Sequence, residues 1–180
     1  MAIKQLHCQY MPQEDRILFR LNTDNGCDYL FLLTRRITLF ILSNTERLVV
    51  EQLATTHEAP VAKAISEFEG EVARETVQFQ DQYDAGSSFP LGEIPLLVRD
   101  AGCKVQTQDG KTIIYLDFLL GDDKTVGLQL WGQVYQNMRI LLDRMAKQAL
   151  WLSLSAHEHN KTKSEESESP SSASGVIPIH

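Results

Sequence analysis

Two apolar stretches on either side of Asp24-Asn25-Gly26 constrain the fold of this chain more than any other feature. Asn and Gly tolerate the positive φ angles of a tight turn between two strands. In the first stretch, alternate residues are apolar: Ile17, Phe19 and Leu21. The intervening positions include Arg16 and Arg20, so this stretch has the two-residue period of a strand with one buried face. The sequence therefore predicts an antiparallel hairpin.

The segment after the hairpin supports two interpretations. Thr34 suits the N-cap of a helix, while Ser43 and Glu46 form a second capping box further along. We therefore expect a helix that breaks near Ser43. The β-branched and aromatic residues in 37–42 keep an extended strand as the alternative for that segment.

A second helix is predicted near Pro60, because proline is favoured in the first turn of a helix. Apolar residues then recur at helical spacing: Val61, Ile65, Phe68, Val72, Phe79 and Tyr83. Three glutamates of the same helix, spaced four residues apart, form an acidic row: Glu67, Glu71 and Glu75. Each like-charged pair costs about 0.2–0.5 kcal/mol. A solvated helix face tolerates that cost, and a surface that meets a basic partner would explain it.

The C-terminal half begins with short strand-like runs separated by turn residues: LLVRD, CKVQT, TIIYLDFLL and TVGLQLW. These runs predict an antiparallel meander. Helical spacing returns from Trp131 to Leu154 and predicts a last helix that covers the sheet. On this helix Arg139, Asp143 and Lys147 are spaced for i,i+4 pairs.

The order of these elements predicts an α+β fold, in which a mainly antiparallel sheet packs against two or three helices. The sheet consists of the N-terminal hairpin and the C-terminal meander. A chain of 180 residues with 43% hydrophobic residues is long enough for one well-buried core. After residue 154 the composition changes to Ser, Glu, Lys and Pro, with little to bury. We therefore expect one domain over residues 1–154 and a disordered Ser/Glu-rich tail over 155–180.

Gly110-Lys111-Thr112 resembles part of a nucleotide-binding loop. A Walker A motif also requires a glycine at position 105, where this chain has Val105. It further requires a helix after the threonine, whereas residues 112–118 favour a strand. We therefore interpret Asp109-Gly110 and Gly121-Asp122-Asp123 as turns that bound one strand, with Asp117 on its less apolar face.

The sequence contains no recognised catalytic, cofactor or metal motif. Cys8, Cys27 and Cys103 are widely spaced, which favours reduced thiols. His157 and His159 lie in the tail without the further ligands that a metal site requires. We therefore predict no catalytic residue, no cofactor and no metal, and the sequence favours a protein that is not an enzyme. An active site assembled from distant residues would leave no linear motif.

An arginine cluster is the best candidate for a ligand site: Arg16, Arg20, Thr34, Arg35 and Arg36. If a helix starts at Thr34, its free amides and positive dipole end lie beside four guanidinium groups, which suits a phosphate or a carboxylate. Alternatively, these arginines pair with Asp15, Asp24 or Asp28 and only solubilise the hairpin.

Charge is distributed unevenly along the chain. The net charge is −7, and residues 43–100 alone carry eleven acidic and four basic side chains. Duplex nucleic acid is therefore not expected as a partner, because its binding requires clustered Lys and Arg. No stretch has the length of a membrane span and the N-terminus lacks the apolar core of a signal peptide, so we predict a cytoplasmic protein without membrane contact.

Three segments, EDRILFRLNT, FLLTRRIT and VQFQDQYDAGSSFPLGEIPLLV, resemble parts of small proteobacterial proteins of unknown function. The resemblance extends over residues 15–150. It implies a bacterial cytoplasmic location and one compact domain, and it carries over no activity, ligand or site.

Three functional hypotheses follow. The favoured one is a non-enzymatic protein-interaction module or adaptor, with Glu67, Glu71 and Glu75 as partner-binding residues. The first alternative is a protein that binds a small anionic ligand at the arginine cluster, and the second is an enzyme without a linear motif. Homo-oligomerisation is a further expectation, because the last helix carries apolar residues on more than one side: Trp131, Leu142, Leu150 and Trp151.

Overall fold

The computed structural model describes residues 2–76, 82–108, 111–121 and 124–152. In chain order, the elements of this part are β1 (Ile3–Met11), β2 (Arg16–Thr23), β3 (Asp28–Thr34), α1 (Arg35–Leu53), α2 (Ala59–Thr76), β4 (Leu96–Leu97), β5 (Asp100–Gln108), β6 (Lys111–Leu119), β7 (Thr125–Trp131) and α3 (Gly132–Gln148). The predicted α+β class is confirmed. The predicted tail lies outside the described residues.

The first sheet has the strand order β1-β2-β3-β4. Its centre is the predicted hairpin, in which β2 and β3 pair antiparallel and Gly26 has a φ angle of 78° in the connecting turn. β1, which pairs antiparallel with β2, was not predicted. In its sequence Leu6, Cys8 and Tyr10 alternate with His7 and Gln9, but only Cys8 is buried, so the apolar face of β1 is weaker than that of β2.

The second sheet has the order β5-β6-β7 with antiparallel pairing, which confirms the meander for these three strands. The prediction for LLVRD was wrong, because Leu96 and Leu97 pair parallel with β3 in the first sheet. The chain then crosses between the sheets. Val98 N donates to Leu32 O at 3.0 Å, and Arg99 N donates to Leu119 O at 2.8 Å. These two bonds join both sheets through consecutive residues.

Residues 111–119 form β6. The strand predicted here, in place of the helix that a nucleotide-binding loop requires, is therefore confirmed. The strand alternates between buried side chains, such as Ile114 and Leu116, and more exposed ones, such as Asp117. The residues proposed as its two turns, 109–110 and 122–123, lie outside the described residues.

The core lies between the two sheets. Phe19, Phe31 and Phe118 are almost fully buried, and their ring centroids are separated by 5.1–6.5 Å. Phe19 comes from β2, Phe31 from β3 and Phe118 from β6, so each sheet contributes to the cluster. Aromatic pairs at such distances stabilise a core by about 0.5–1.5 kcal/mol beyond the area that they bury. The apolar face predicted for the first hairpin strand is therefore confirmed.

α1 begins after Thr34, whose side chain accepts a hydrogen bond from Ile37 N at 3.4 Å. The predicted N-cap is confirmed. The predicted break near Ser43 and the alternative strand over 37–42 were both wrong, because one helix runs from Arg35 to Leu53. The Ser43 hydroxyl donates to Leu39 O at 2.8 Å, inside the helix rather than at a new start. Burial of one face outweighs the strand propensity of this segment, and its buried side chains include Ile37, Ile41 and Val49.

α3 buries Met138, Leu142 and Ala146 and packs against β1, α1 and α2. Of the predicted i,i+4 pairs, Lys147 contacts Asp143 at 2.6 Å, whereas Arg139 contacts Glu46 of α1 at 3.1 Å. Trp151, just after the helix, is buried.

Candidate functional site

The structure divides the predicted arginine cluster. Arg20 Nη2 contacts Asp28 Oδ2 at 2.7 Å, and its Cζ lies 4.6 Å from the centre of the Tyr83 ring. Arg16 lies opposite Thr34 in the β2–β3 register and contacts Glu14 at 3.4 Å. Arg16 and Arg20 are four residues apart on one strand, which separates their backbones by about 13 Å.

The other two arginines begin α1. Arg36 Nη2 donates to Arg99 O at 2.6 Å, and Arg36 Nη1 contacts Asp100 at 3.3 Å. Arg35 follows the N-cap and is half-buried. The fold therefore brings Arg16, Thr34 and Arg35 to one end of the sheet, where Arg16 already contacts Glu14. Arg20 and Arg36 pair with two further carboxylates, Asp28 and Asp100. Anion binding at this end stays a prediction.

Asp28 is the most polar buried position in the hairpin. Its side chain is fully buried and accepts hydrogen bonds from Arg20, from Tyr83 OH at 2.9 Å and from Gly86 N at 3.2 Å. Burial and the hydrogen bond to Asp28 raise the pKa of Tyr83 well above its usual value. The carboxylate thus attaches the segment around Tyr83 and Gly86 to the first sheet. This is a structural role, which matches the pairing alternative for Arg20.

The acidic row on α2 is solvated. Glu67, Glu71 and Glu75 are exposed, and Lys63 contacts Glu67 at 3.7 Å. Exposed pairs of this kind contribute little to stability, typically about 0–1 kcal/mol. The structure therefore leaves the three predicted partner-binding residues available to another molecule.

The apolar side of α2 has an orientation that the sequence did not suggest. The helix packs inward through small side chains: Ala62, Ser66, Gly70 and Ala73. By contrast, Val61, Phe68 and Val72 are exposed, with 47%, 66% and 40% of their surface accessible. At 100° per residue these three side chains share one face, roughly 120° round the helix from the small residues. We call Val61, Phe68 and Val72 the outer stripe.

A groove extends the outer stripe towards the second sheet. It has a volume of about 530 Å³ and lies between α1, α2, the start of β6 and the start of α3. Val72 forms one wall, and Trp131, which is 43% exposed, forms part of the other. Trp is enriched among the side chains that contribute most to binding, and Phe is enriched at interfaces in general. The stripe and the groove form one apolar surface, which single exposed residues would not.

Both flanks of the outer stripe are acidic. On the helical wheel the row of Glu67, Glu71 and Glu75 runs along one side, and Glu69 lies on the other side, where it borders the groove. The outer stripe therefore has a negative border on both sides, whereas the far side of the groove includes Lys111.

The sequence contained one signal for this arrangement. Ala62, Ser66, Gly70 and Ala73 recur at i, i+4, i+8 and i+11, which places small residues on one helix face. A face of small side chains permits close helix packing, although open space remains at the Cβ position of Gly70. The exposure of Trp131 had no such signal, because it depends on how the second sheet meets α3.

The described residues have few features of a catalytic or metal centre. Burial raises the pKa of the Cys103 thiol to about 11 and that of the Cys8 thiol further, so both are protonated at neutral pH. No group of three or more His, Cys, Asp or Glu in the described ranges is arranged to hold a metal ion. Within the same ranges, no helix is both long and apolar enough to cross a membrane.

Comparison with known proteins adds no relative. No family model matches the chain, and neither the curated proteins nor the solved structures include one that matches it.

Proposed function

We propose that this protein is a non-enzymatic interaction module or adaptor of the bacterial cytoplasm, and that α2 is its binding surface. The observation that carries the proposal is the outward orientation of the outer stripe. Phe68 is the most exposed of its three side chains. A helix that packs through small residues and presents larger apolar ones to solvent has a face suited to another molecule.

The acidic borders favour a basic partner over a second copy of the chain. If two copies packed α2 against α2, glutamates would face glutamates in either orientation, because both flanks of the outer stripe are acidic. Like charges opposed across an interface weaken it. A partner segment with apolar side chains flanked by Lys or Arg meets the same surface with complementary charge, which chiefly raises the association rate and the selectivity.

The contribution of Phe68 to the binding free energy follows from how much of its surface is exposed. A phenylalanine buries about 150–250 Å² when fully covered. Since 66% of Phe68 is accessible, roughly 100–165 Å² remains for a partner. At about 25 cal/mol per Å², covering this area stabilises a complex by about 2.5–4 kcal/mol. Phe68→Ala should therefore weaken binding by up to roughly 70- to 1,000-fold.

The test uses site-specific photo-crosslinking in bacterial cytoplasm. A photoreactive amino acid replaces Phe68 in one protein and Ile94 in another, because Ile94 is 79% exposed but lies outside α2. We expect a crosslinked partner from position 68 alone. The affinity of the purified partner should then fall with Phe68→Ala, be unchanged with Ile94→Ala, and lose part of its salt dependence when Glu67 and Glu71 become Gln.

Two outcomes contradict the proposal. Equal crosslinking from positions 68 and 94 would mean that the outer stripe has no special role. A partner whose affinity is the same for Phe68→Ala and Ile94→Ala would place the interface elsewhere.

A further inference from the structure

The outer edge of the second sheet is a further surface of this protein. β7 pairs with β6 on one side, and in the described ranges no strand pairs with its other side. The backbone at this edge is accessible. Gly127 is exposed and has no side chain, so its exposure is that of the backbone itself, and the neighbouring Thr125 and Gln129 are exposed as well.

The hydrogen-bond pattern shows which backbone groups of β7 face outward. Leu120 N donates to Lys124 O at 2.7 Å, which makes these residues a hydrogen-bonded pair just before the strand. Bonded and non-bonded pairs alternate in an antiparallel ladder, so every second residue of β7 bonds to β6, beginning with Val126. The backbone groups of the intervening residues point away from β6: Thr125, Gly127, Gln129 and Trp131. Of these groups, the Trp131 carbonyl is used by α3, because Trp131 is its N-cap residue.

The other strands at sheet edges carry features that keep natural edges from pairing, whereas β7 does not. β1 has a register shift between Ile3 and Gln5, with Lys4 between them. β4 has only two residues, and α1 packs against β5. β7 has seven residues, TVGLQLW, without a charge or a proline, and its register with β6 continues without a shift. It is therefore the edge best suited to another strand.

We propose that β7 pairs antiparallel with β7 of a second copy of this chain, so that the two second sheets form one six-stranded sheet. The two-fold axis passes Leu128. This register places the outward backbone groups of Gly127 opposite those of Gln129 in the second copy, and Thr125 opposite Trp131. Trp131 also lies diagonal to Gly127 of the second copy, where the missing side chain leaves room for the indole ring.

Charge favours a second copy at this edge, unlike at α2. β7 is uncharged, and residues 101–154 carry six basic and five acidic side chains, so two copies meet here without opposed like charges. Antiparallel pairing places the two copies of Lys124 at opposite ends of the new ladder, about 27 Å apart. The pairing uses both free edges and therefore stops at a dimer. It does not depend on the proposed α2 interface, although Trp131 borders both surfaces.

The test combines sedimentation with amide hydrogen exchange on the full-length protein. Two paired strands of seven residues form a small interface, so we expect dissociation in the micromolar range. In the dilute monomer the amides of Val126, Leu128 and Leu130 should be protected, while those of Gly127 and Gln129 exchange freely. At a concentration about 100 times the dissociation constant, exchange at Gly127 and Gln129 should slow by roughly tenfold.

A proline variant removes an outward donor without touching the bonds to β6. Gln129→Pro deletes an N–H that points away from β6, and proline is tolerated on an edge strand in that orientation. Two-fold symmetry removes two hydrogen bonds, so the dimer should weaken by roughly 10- to 100-fold. Gln129→Ala keeps the N–H and should dimerise like the wild type. If Gln129→Pro does not fold, Thr125→Pro replaces it, because proline is also tolerated at the first residue of a strand.

Four results would overturn the proposal. The first is a protein that stays monomeric throughout the titration, and the second is a dimer in which Gly127 and Gln129 still exchange freely, which would place the interface elsewhere. Protection of both amides in the dilute monomer is the third, because another segment of the same chain would then occupy the edge. The fourth is equal dimerisation of the proline variant and Gln129→Ala.

Discussion

Removal of the Asp28 carboxylate is the sharpest test of how the N-terminal sheet holds the rest of the chain. Asp28→Ala deletes the acceptor of three hydrogen bonds, from Arg20 at 2.7 Å, Tyr83 at 2.9 Å and Gly86 at 3.2 Å. It also leaves the Arg20 guanidinium without its carboxylate. Since Asp28 is fully buried, no water replaces the lost acceptor without entering the protein.

The loss of stability in Asp28→Ala follows from the burial of its ion pair with Arg20. Breaking a buried ion pair by removing one partner typically costs about 3–5 kcal/mol. The Arg20 side chain is 23% exposed, so water hydrates part of it and the lower end of that range applies. We therefore expect Asp28→Ala to lower the free energy of unfolding by about 3 kcal/mol. In a domain of this size that corresponds to a fall in melting temperature of roughly 6–12 °C.

Urea denaturation followed by circular dichroism measures the change, and Asp100→Ala is the matched control. Asp100 also contacts an arginine, Arg36 at 3.3 Å, but its side chain is 63% exposed. Its removal should cost less than about 1 kcal/mol. The double variant Arg20→Ala with Asp28→Ala should lose less stability than the sum of the single variants, because it leaves no uncompensated charge.

Equal stability of Asp28→Ala and Asp100→Ala would refute this reasoning. So would strict additivity of Arg20→Ala and Asp28→Ala, since two groups that interact in the folded state cannot contribute independently.

Two further predictions concern stability. Burial, and secondarily the charge of Arg20, lower the pKa of His7. Below about pH 6.5 the unfolded chain therefore binds a proton at His7 more readily than the folded chain does. Stability should therefore fall as the pH is lowered from about 7.5 to 5.5, and His7→Gln should flatten that fall in urea titrations; an equally steep fall in the variant would contradict this. Gly86→Ala should destabilise the folded protein by about 1–3 kcal/mol, because the added Cβ would lie 2.5 Å from Gly26 O. Gly70→Ala should instead stabilise it by about 0.5–1 kcal/mol, because the added Cβ meets open space within a helix. Thermal melts of both variants test this contrast, and a Gly86→Ala protein as stable as the wild type would contradict it.

The sequence predicted those elements whose local pattern agrees with their final burial. The β2–β3 hairpin, the Thr34 cap and the β5–β7 meander all combine an appropriate turn or cap residue with the right hydrophobic period. β1 was missed because its alternation of Leu6, Cys8 and Tyr10 with polar residues is short and less apolar than that of β2. β4 was placed in the wrong sheet because two residues carry no information about which strand they pair with.

The candidate sites were less predictable, because both depend on distances between segments far apart in the chain. Helical spacing identified Val61, Phe68 and Val72 as one face, but which face of α2 packs inward is decided by α1 and α3. The predicted arginine cluster was divided because Asp28 and Asp100 hold two of its members.

The crossing of the chain from one sheet to the other has a consequence for how this protein folds. The hydrogen bond from Val98 to Leu32 closes a loop of about 65 residues that contains both α1 and α2, so its formation carries a large entropy cost. β1–β3 can assemble from neighbouring segments, but β4 can join them only after that loop closes. Because Arg99 then continues directly into the second sheet, closure of this loop brings the two halves together, and non-local contacts of this kind slow the folding of a domain.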